Sequence, residues 1–159
     1  MSYNAIFEQI FSMLVNDATL VPGILGPRTA TNLRLYRAWP QLQSLLLSYE
    51  PQPPEGWLVV EQPQPSLRLG QGQLDSNHEL FEIAFHCYAT QYSVAQDVLD
   101  VLDTLFHWSV QQQRDLTFGE RIVLFTRRYS TQDKYAQDVK LFEKVMTYFL
   151  ETVRDVEYA

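Results

Sequence analysis

The chain has 159 residues, of which 46% are hydrophobic, 13% aromatic and 19% charged, with a formal net charge of −7. A chain of this length fits one domain, residues 1–159, and buries about 70% of the surface it exposes when unfolded, so its core needs neither metal nor disulfide. The apolar content excludes intrinsic disorder. Twelve Lys and Arg against nineteen Asp and Glu exclude a surface that grips duplex DNA by neutralising phosphates. A single Cys forms no internal disulfide and fits a reducing compartment. No stretch nears the ~20 apolar residues that span a bilayer, and Ser2, Tyr3 and Asn4 lead straight into an amphipathic pattern without a basic leader. The expectation is a protein that is soluble and cytoplasmic at synthesis, with no membrane partner. A charged fraction below the usual quarter hints that part of its surface is covered in an assembly.

Residues 5–15 place Ile6, Phe7, Ile10, Phe11, Met13 and Leu14 on one helical face and Glu8, Gln9 and Ser12 on the other, at 100° per residue. Asn4 or Ser2 can cap its start. Asn16-Asp17, Pro22-Gly23 and Gly26-Pro27 break the pattern into a loop. Leu33, Leu35, Arg37 and Trp39 then alternate with Arg34 and Tyr36, which predicts a strand ended by Pro40. Leu42, Leu45 and Leu46 predict a short helix over residues 41–48. Residues 51–73 hold five of the eight prolines and three of the six glycines. Within them Trp57, Leu58, Val59 and Val60 predict a short apolar strand. The remaining Pro/Gln-rich segment, about 62–77, reads as a long loop, and such loops in compact domains tend to be functional or disordered.

The clearest strand follows, with Phe81, Ile83, Phe85 and Cys87 on one face and Glu82, Ala84, His86 and Tyr88 on the other. Ser93 opens a helix over about 93–110, and Gln96, three residues on, completes a capping-box pattern. Its apolar stripe is Val94, Val98, Val101, Leu102 and Leu105, extending toward Trp108; its polar side is Gln96, Asp97, Asp100, Asp103, Thr104 and His107. Residues 121–127 predict a strand around Ile122, Val123, Leu124 and Phe125, closed by a polar turn over 130–134. Two signals conflict over residues 139–153. Leu141, Phe142, Val145, Met146, Phe149, Leu150 and Val153 make a helical stripe, whereas Val145, Thr147, Tyr148, Phe149, Thr152 and Val153 are strand-favouring types. Periodicity by itself favours a helix there.

Most enzyme signatures are absent. Gly70-Gln71-Gly72 lacks the third glycine and the Lys-Ser/Thr pair that would cradle phosphates. His78, Glu79, His86 and Cys87 fit no metal-ligand spacing, and His86 and Cys87 point to opposite faces of their strand. Cys87 stands in line with Phe81, Ile83 and Phe85, where burial silences a thiol. Asp97, Asp100 and Asp103 read as a solvated helix face, with no apolar setting to separate their pKa values. Arg127-Arg128-Tyr129 can hold an anion or a partner's carboxylate, or simply face water at a strand end. No catalytic, cofactor-binding or metal-ligating set emerges, so the chain is expected to act through its surfaces. The competing reading is a small ligand-binding or enzymatic α/β domain with a pocket lined by Trp57, His86 and Tyr88.

The order of elements carries a resemblance. An N-terminal amphipathic helix leads through strands and a Pro-rich connection to the segment Glu82-Ile83-Ala84-Phe85-His86-Cys87-Tyr88, then to Ser93-Val94-Ala95-Gln96-Asp97-Val98-Leu99-Asp100-Val101-Leu102 and two terminal strand-like segments. This resembles the tail terminator (tail completion) proteins of tailed bacteriophages over nearly the whole chain. The resemblance implies an α+β fold: a mostly antiparallel sheet of four to five strands, flanked by an N-terminal helix and a central helix. It implies a strand for residues 139–153. It further implies a homohexameric ring in the virion neck that caps the head-proximal end of the tail tube and stops its polymerisation. The implied partners are further copies of the chain, the tail tube protein and a neck or head-completion protein, with assembly in the host cytoplasm and no cofactor. A related connector on the head side shares that context. DNA would only pass through the lumen, whose acidic wall would repel it. Head-to-tail closure needs two different patches per copy. The expected interface residues are Leu67 and Leu69 as apolar anchors, Arg68 pairing an acidic neighbour, and Arg127 and Arg128.

Overall fold

The structure is a computed structural model and describes residues 3–28, 33–37, 56–65, 78–107, 117–118, 121–137 and 141–154. Helix α1 (Tyr3–Val15) forms where the apolar spacing predicts it. Ile6, Phe7, Ile10, Phe11 and Leu14 are buried, Met13 is partly buried, and Glu8, Gln9 and Ser12 face water. The following Pro/Gly segment is more than a connector. It makes a tight turn, Thr19–Ile24, that sends Leu20, Val21 and Leu25 into the core. Gly26 then takes a φ of 95°, a conformation that side-chain-bearing residues rarely adopt.

Of the predicted strand over 33–39, residues 38 and 39 lie outside the described residues, and within 33–37 only β1 (Leu35–Tyr36) is strand. Its predecessor Arg34 has a φ of 69°, which interrupts the alternation seen in the sequence. The buried Arg34 is held there by bonds from Nε to the Pro27 carbonyl (3.0 Å) and from Nη1 to the Gly56 carbonyl (3.3 Å). β2 (Gly56–Val60) is buried at every residue, as its unbroken apolar run requires. β2 pairs in parallel with β1 and antiparallel with β4 (His78–Ala89). The two-residue β3 (Gln64–Pro65) continues along the same edge of β4. The helix expected over 41–48 and most of the expected loop, 66–77, lie outside the described residues.

Helix α2 spans Tyr92–Phe106. It begins one residue before Ser93, with Gln91 as an extended N-cap that makes no side-chain cap bond. The capping-box reading is therefore wrong: Ser93 already lies in the first turn. The helix also stops at Phe106, short of 110. Its buried face is Val94, Ala95, Val98, Leu99, Leu102 and Phe106, while Val101 and Leu105 are only partly buried. The contact line is thus rotated toward Ala95 and Leu99.

After β5 (Thr117–Phe118) come the two longest strands, β6 (Arg121–Ala136) and β7 (Leu141–Arg154). Two expectations give way here. The polar residues 130–134 are no turn but continue β6, with Ser130 opposite Thr147 and Lys134 opposite Glu143. Residues 141–154 are strand, as the resemblance implies and against the helical periodicity. β7 runs between β4 and β6 and is lined on both faces. Apolar residues at both odd and even positions satisfy helical spacing without making a helix.

The result is an α+β fold whose sheet has the order β1-β2-β4-β7-β6-β5, with β3 beside β4. All pairings are antiparallel except β1 with β2. Four strands are substantial and three have two residues each. One sheet face carries Phe81, Ile83, Phe85 and Cys87 of β4 opposite Leu150, Tyr148, Met146 and Lys144 of β7. The apolar members of that set, α1 and α2 form a single buried core. On the other face Trp57, Val59 and Leu141 make a smaller cluster against Tyr36 and Tyr88.

Candidate functional site

The alternation of β6 sends its two arginines to opposite faces. Arg128 lies opposite Tyr148 and Arg127 opposite Phe149. Arg128 turns to α2, where Nη1 bonds Asp103 Oδ2 and its backbone N–H donates to His107 Nδ1 at 2.9 Å. Asp103 Oδ1 accepts from the Tyr148 hydroxyl at 2.7 Å. Asp103 is thus a bonded, half-buried carboxylate; the reading of the three α2 aspartates as one solvated face holds for Asp97 and Asp100, which are exposed. Burial, then the neighbouring Asp103 carboxylate, pushes the Tyr148 hydroxyl far above the ordinary tyrosine range. It stays a neutral donor.

Arg127 has the opposite surroundings. It is exposed and forms no ion pair with any described residue. Beyond Ile122, no described strand pairs with the outer edge of β6, and residues 129–135 are exposed along its length. Two aromatic rings stand on this strip. Tyr129, 43% exposed, packs on Phe149 with 4.8 Å between ring centroids, and Tyr135, 49% exposed, packs on Phe142 at 4.6 Å. Tyr92 closes on the other side of Phe142 at 5.8 Å. Half-exposed tyrosines packed on a second, less exposed ring are the residue type that protein interfaces favour, because they offer large area at low conformational cost.

Lys144 is buried beneath this strip. Its Nζ donates to Asp133 Oδ1 at 2.8 Å and to the Tyr92 hydroxyl at 3.3 Å, and it lies 5.1 Å from the centroid of the Tyr92 ring. Burial works to lower its pKa, but the bonds to Asp133 and Tyr92 outweigh that, and the net displacement is upward. Lys144 stands opposite Cys87 in the β4–β7 register. Burial pushes the Cys87 thiol up to about 12 against a slight opposing pull from Lys144, which suits a core side chain and not a nucleophile.

The Trp57, His86 and Tyr88 side chains are tied to one another and to carboxylates. Trp57 stacks on Tyr88 with 5.3 Å between centroids, and the Tyr88 hydroxyl donates to Glu143 Oε2 at 3.1 Å. His86 lies between two carboxylates, Nε2 at 3.1 Å from Glu61 and Nδ1 at 3.2 Å from Glu143. These ligands flank the ring from opposite sides, and among the described residues no group of three or more His, Cys, Asp and Glu side chains is arranged to hold a metal. A concavity does exist elsewhere, an open groove of about 440 Å³ lined by Glu8, Phe11, Ser12, Val15, Arg28 and Arg37. Arg37 fills part of it, paired with Glu8 at 2.8 Å and set 4.3 Å over the Phe11 ring.

Of the expected interface residues, the structure sets Arg127 on the open strip and Arg128 against α2. Leu67, Arg68 and Leu69 lie outside the described residues. Sequence reasoning reached Tyr129 beside the two arginines but missed Tyr135 and Tyr92. The available signal was two tyrosines six residues apart in a polar run, which on an edge strand are too polar for a core and too aromatic for plain solvent.

No protein-family model matches the chain, and no curated protein matches it. A solved structure does: a chain in the virion of a native gene transfer agent particle, with a TM-score of 0.60, 9% sequence identity, and 91% of each chain covered. At that identity the likeness shows a shared fold, spread over nearly the full length of both chains.

Proposed function

We propose that this chain is a structural virion protein that works as a tail terminator. In this reading it forms a ring that caps the head-proximal end of a phage-type tail tube, halts its polymerisation and joins it to the neck. The observation that carries the reading is the end-to-end fold likeness to a chain of a gene transfer agent virion. Its element order, helix, strands, long strand, helix and terminal hairpin, is the order through which the sequence resembles tail terminators. The partners are further copies, a tube protein and a neck or head-completion protein, and the place of action is the virion neck. The exposed aromatic edge of β6, with Tyr129 and Tyr135, is a surface of the kind that a neighbouring subunit covers.

Light scattering over a concentration series, with negative-stain images of the same fractions and of the protein mixed with purified tail tubes, tests the reading. Six-fold rings, free or seated on tube ends, are expected. A chain that stays monomeric and leaves tube length and tube ends unchanged overturns it.

A further inference from the structure

The outer strip of β6 has an unmatched cation. Arg127 projects from the sheet face opposite to α2, is exposed, and has no carboxylate partner among the described residues. Tyr129 stands two residues along, held upright on Phe149. The complementary feature is on the same chain but on its other side. Ser93, Asp97, Asp100, Thr104 and His107 form the exposed stripe of α2, and neither Asp97 nor Asp100 makes an ion pair with a described residue. Residues three apart on a helix stand roughly 5–6 Å from each other at Cβ. That spacing lets one planar guanidinium bridge two carboxylates, one on each side of its fork.

We infer that Arg127 of one copy docks between Asp97 and Asp100 of the next copy, with Tyr129 packing against the exposed stripe of α2. The inference rests on the ring reading and names the surfaces that would close it. Charge complementarity selects the occupant. A chain of net charge −7 repels its copies at long range, so association needs a local match of opposite charges, and the Arg127 strip and the α2 stripe supply one. Because the two patches lie on opposite sides of the sheet, the contact is head-to-tail, the kind that propagates into a ring when its rotation closes. Arg128 is excluded from the role because Asp103 and Tyr148 already occupy that cluster.

A charge swap tests this. One variant carries Arg127→Glu; the other carries Asp97→Arg and Asp100→Arg. All three positions are exposed, so circular dichroism and thermal melting of each variant should match the unmodified chain. By light scattering, each variant is expected to run at single-chain mass under conditions where the unmodified chain assembles. An equimolar mixture is expected to regain the assembled mass, since like variants repel and unlike ones pair. Assembly of either folded variant at the unmodified level overturns the inference while leaving the ring reading intact. So does a mixture no heavier than its components. If the unmodified chain neither self-associates nor caps tubes, both fail together.

Discussion

The Tyr148 hydroxyl donates to Asp103 Oδ1 at 2.7 Å, and that one bond ties the middle of β7 to the last turn of α2. Around it Phe85, Phe106 and Tyr148 pack with centroids 5.7–6.1 Å apart. The polar bond therefore belongs to the same side chain that joins this aromatic cluster of the core. Removing the hydroxyl with Tyr148→Phe leaves Asp103 still bonded to Arg128, so the cost should be about 1–2 kcal/mol in urea unfolding. Asp103→Ala strands both donors and should cost more, about 2–3 kcal/mol. Equal losses in the two variants would show that Asp103 does not organise the cluster.

Lys144 and Asp133 make an asymmetric pair, one side chain 4% exposed and the other 47%. Asp133→Asn leaves a buried ammonium without its counter-charge, whereas Lys144→Met removes the charge and leaves an exposed aspartate that water can solvate. The expected order is a greater loss for Asp133→Asn than for Lys144→Met. The pH profile follows from the upward pKa of Lys144. A group whose folded pKa is raised stabilises fully below its unfolded value, near 10.4, and that contribution fades as pH rises through the folded value. Lys144→Met should therefore flatten the loss of stability above about pH 10 and leave the profile near neutrality unaltered.

How far the sequence foretold this arrangement depended on whether the relevant partner was near in the chain. Helix α1 and the apolar face of β4 were legible because burial on one side leaves a clean period of 3.6 or 2. β7 misled because it is buried on both faces: Val145, Thr147 and Phe149 line one and Met146, Tyr148 and Leu150 the other, and a continuous apolar run fits either period. Residues 130–134 misled for the converse reason, since an edge strand with water on both sides needs no apolar residue at all. Asp103 was indistinguishable from Asp97 and Asp100 by spacing. Its partners Arg128 and Tyr148 are 25 and 45 residues away, a relation that no local pattern encodes.

Gly56 begins β2 where the backbone of β4 comes closest. A Cβ built there would stand 2.6 Å from the Tyr88 carbonyl oxygen and 3.3 Å from Ala89 Cβ. Backbone oxygen cannot swing aside, so Gly56→Ala must push β2 off β4 near its pairing with Ala89. The expected cost is about 1–3 kcal/mol, the range for overpacking, read from a lowered midpoint in thermal or urea unfolding. A variant as stable as the parent would mean that the strands separate there without penalty.

Cys87 offers a chemical reporter of opening. The thiol is fully buried and its pKa is pushed up to about 12 from 9.0, so the native chain should resist alkylation by iodoacetamide at pH 8. Labelling should proceed at the rate of global unfolding and accelerate in urea in step with loss of the circular dichroism signal. The linkage sign is that of a raised acid: the neutral thiol is favoured in the fold, so stability is unaffected below pH 9.0 and declines between 9.0 and about 12 as the unfolded thiol ionises first. Cys87→Ala should remove that part of the alkaline slope. Fast native-state labelling at pH 8 would contradict the closed core around β4 and β7.

The adjacent arginines of β6 should separate stability from assembly. Arg128→Ala breaks the contact to Asp103, which is half-buried, and leaves that carboxylate with the Tyr148 hydroxyl as its donor among the described residues. A hydrogen bond between charged groups is worth about 1.5–3 kcal/mol, and partial exposure at both ends brings the expected loss to the lower part of that range. Arg127→Ala removes an exposed cation with no described ion-pair partner, and surface changes of that kind stay within about 0.5 kcal/mol. The expected pattern is a lowered urea midpoint with normal assembled mass for Arg128→Ala, and an unchanged midpoint with reduced assembled mass for Arg127→Ala. The opposite pattern would mean that the face of β6 turned toward α2, and not the open one, carries the contact between copies.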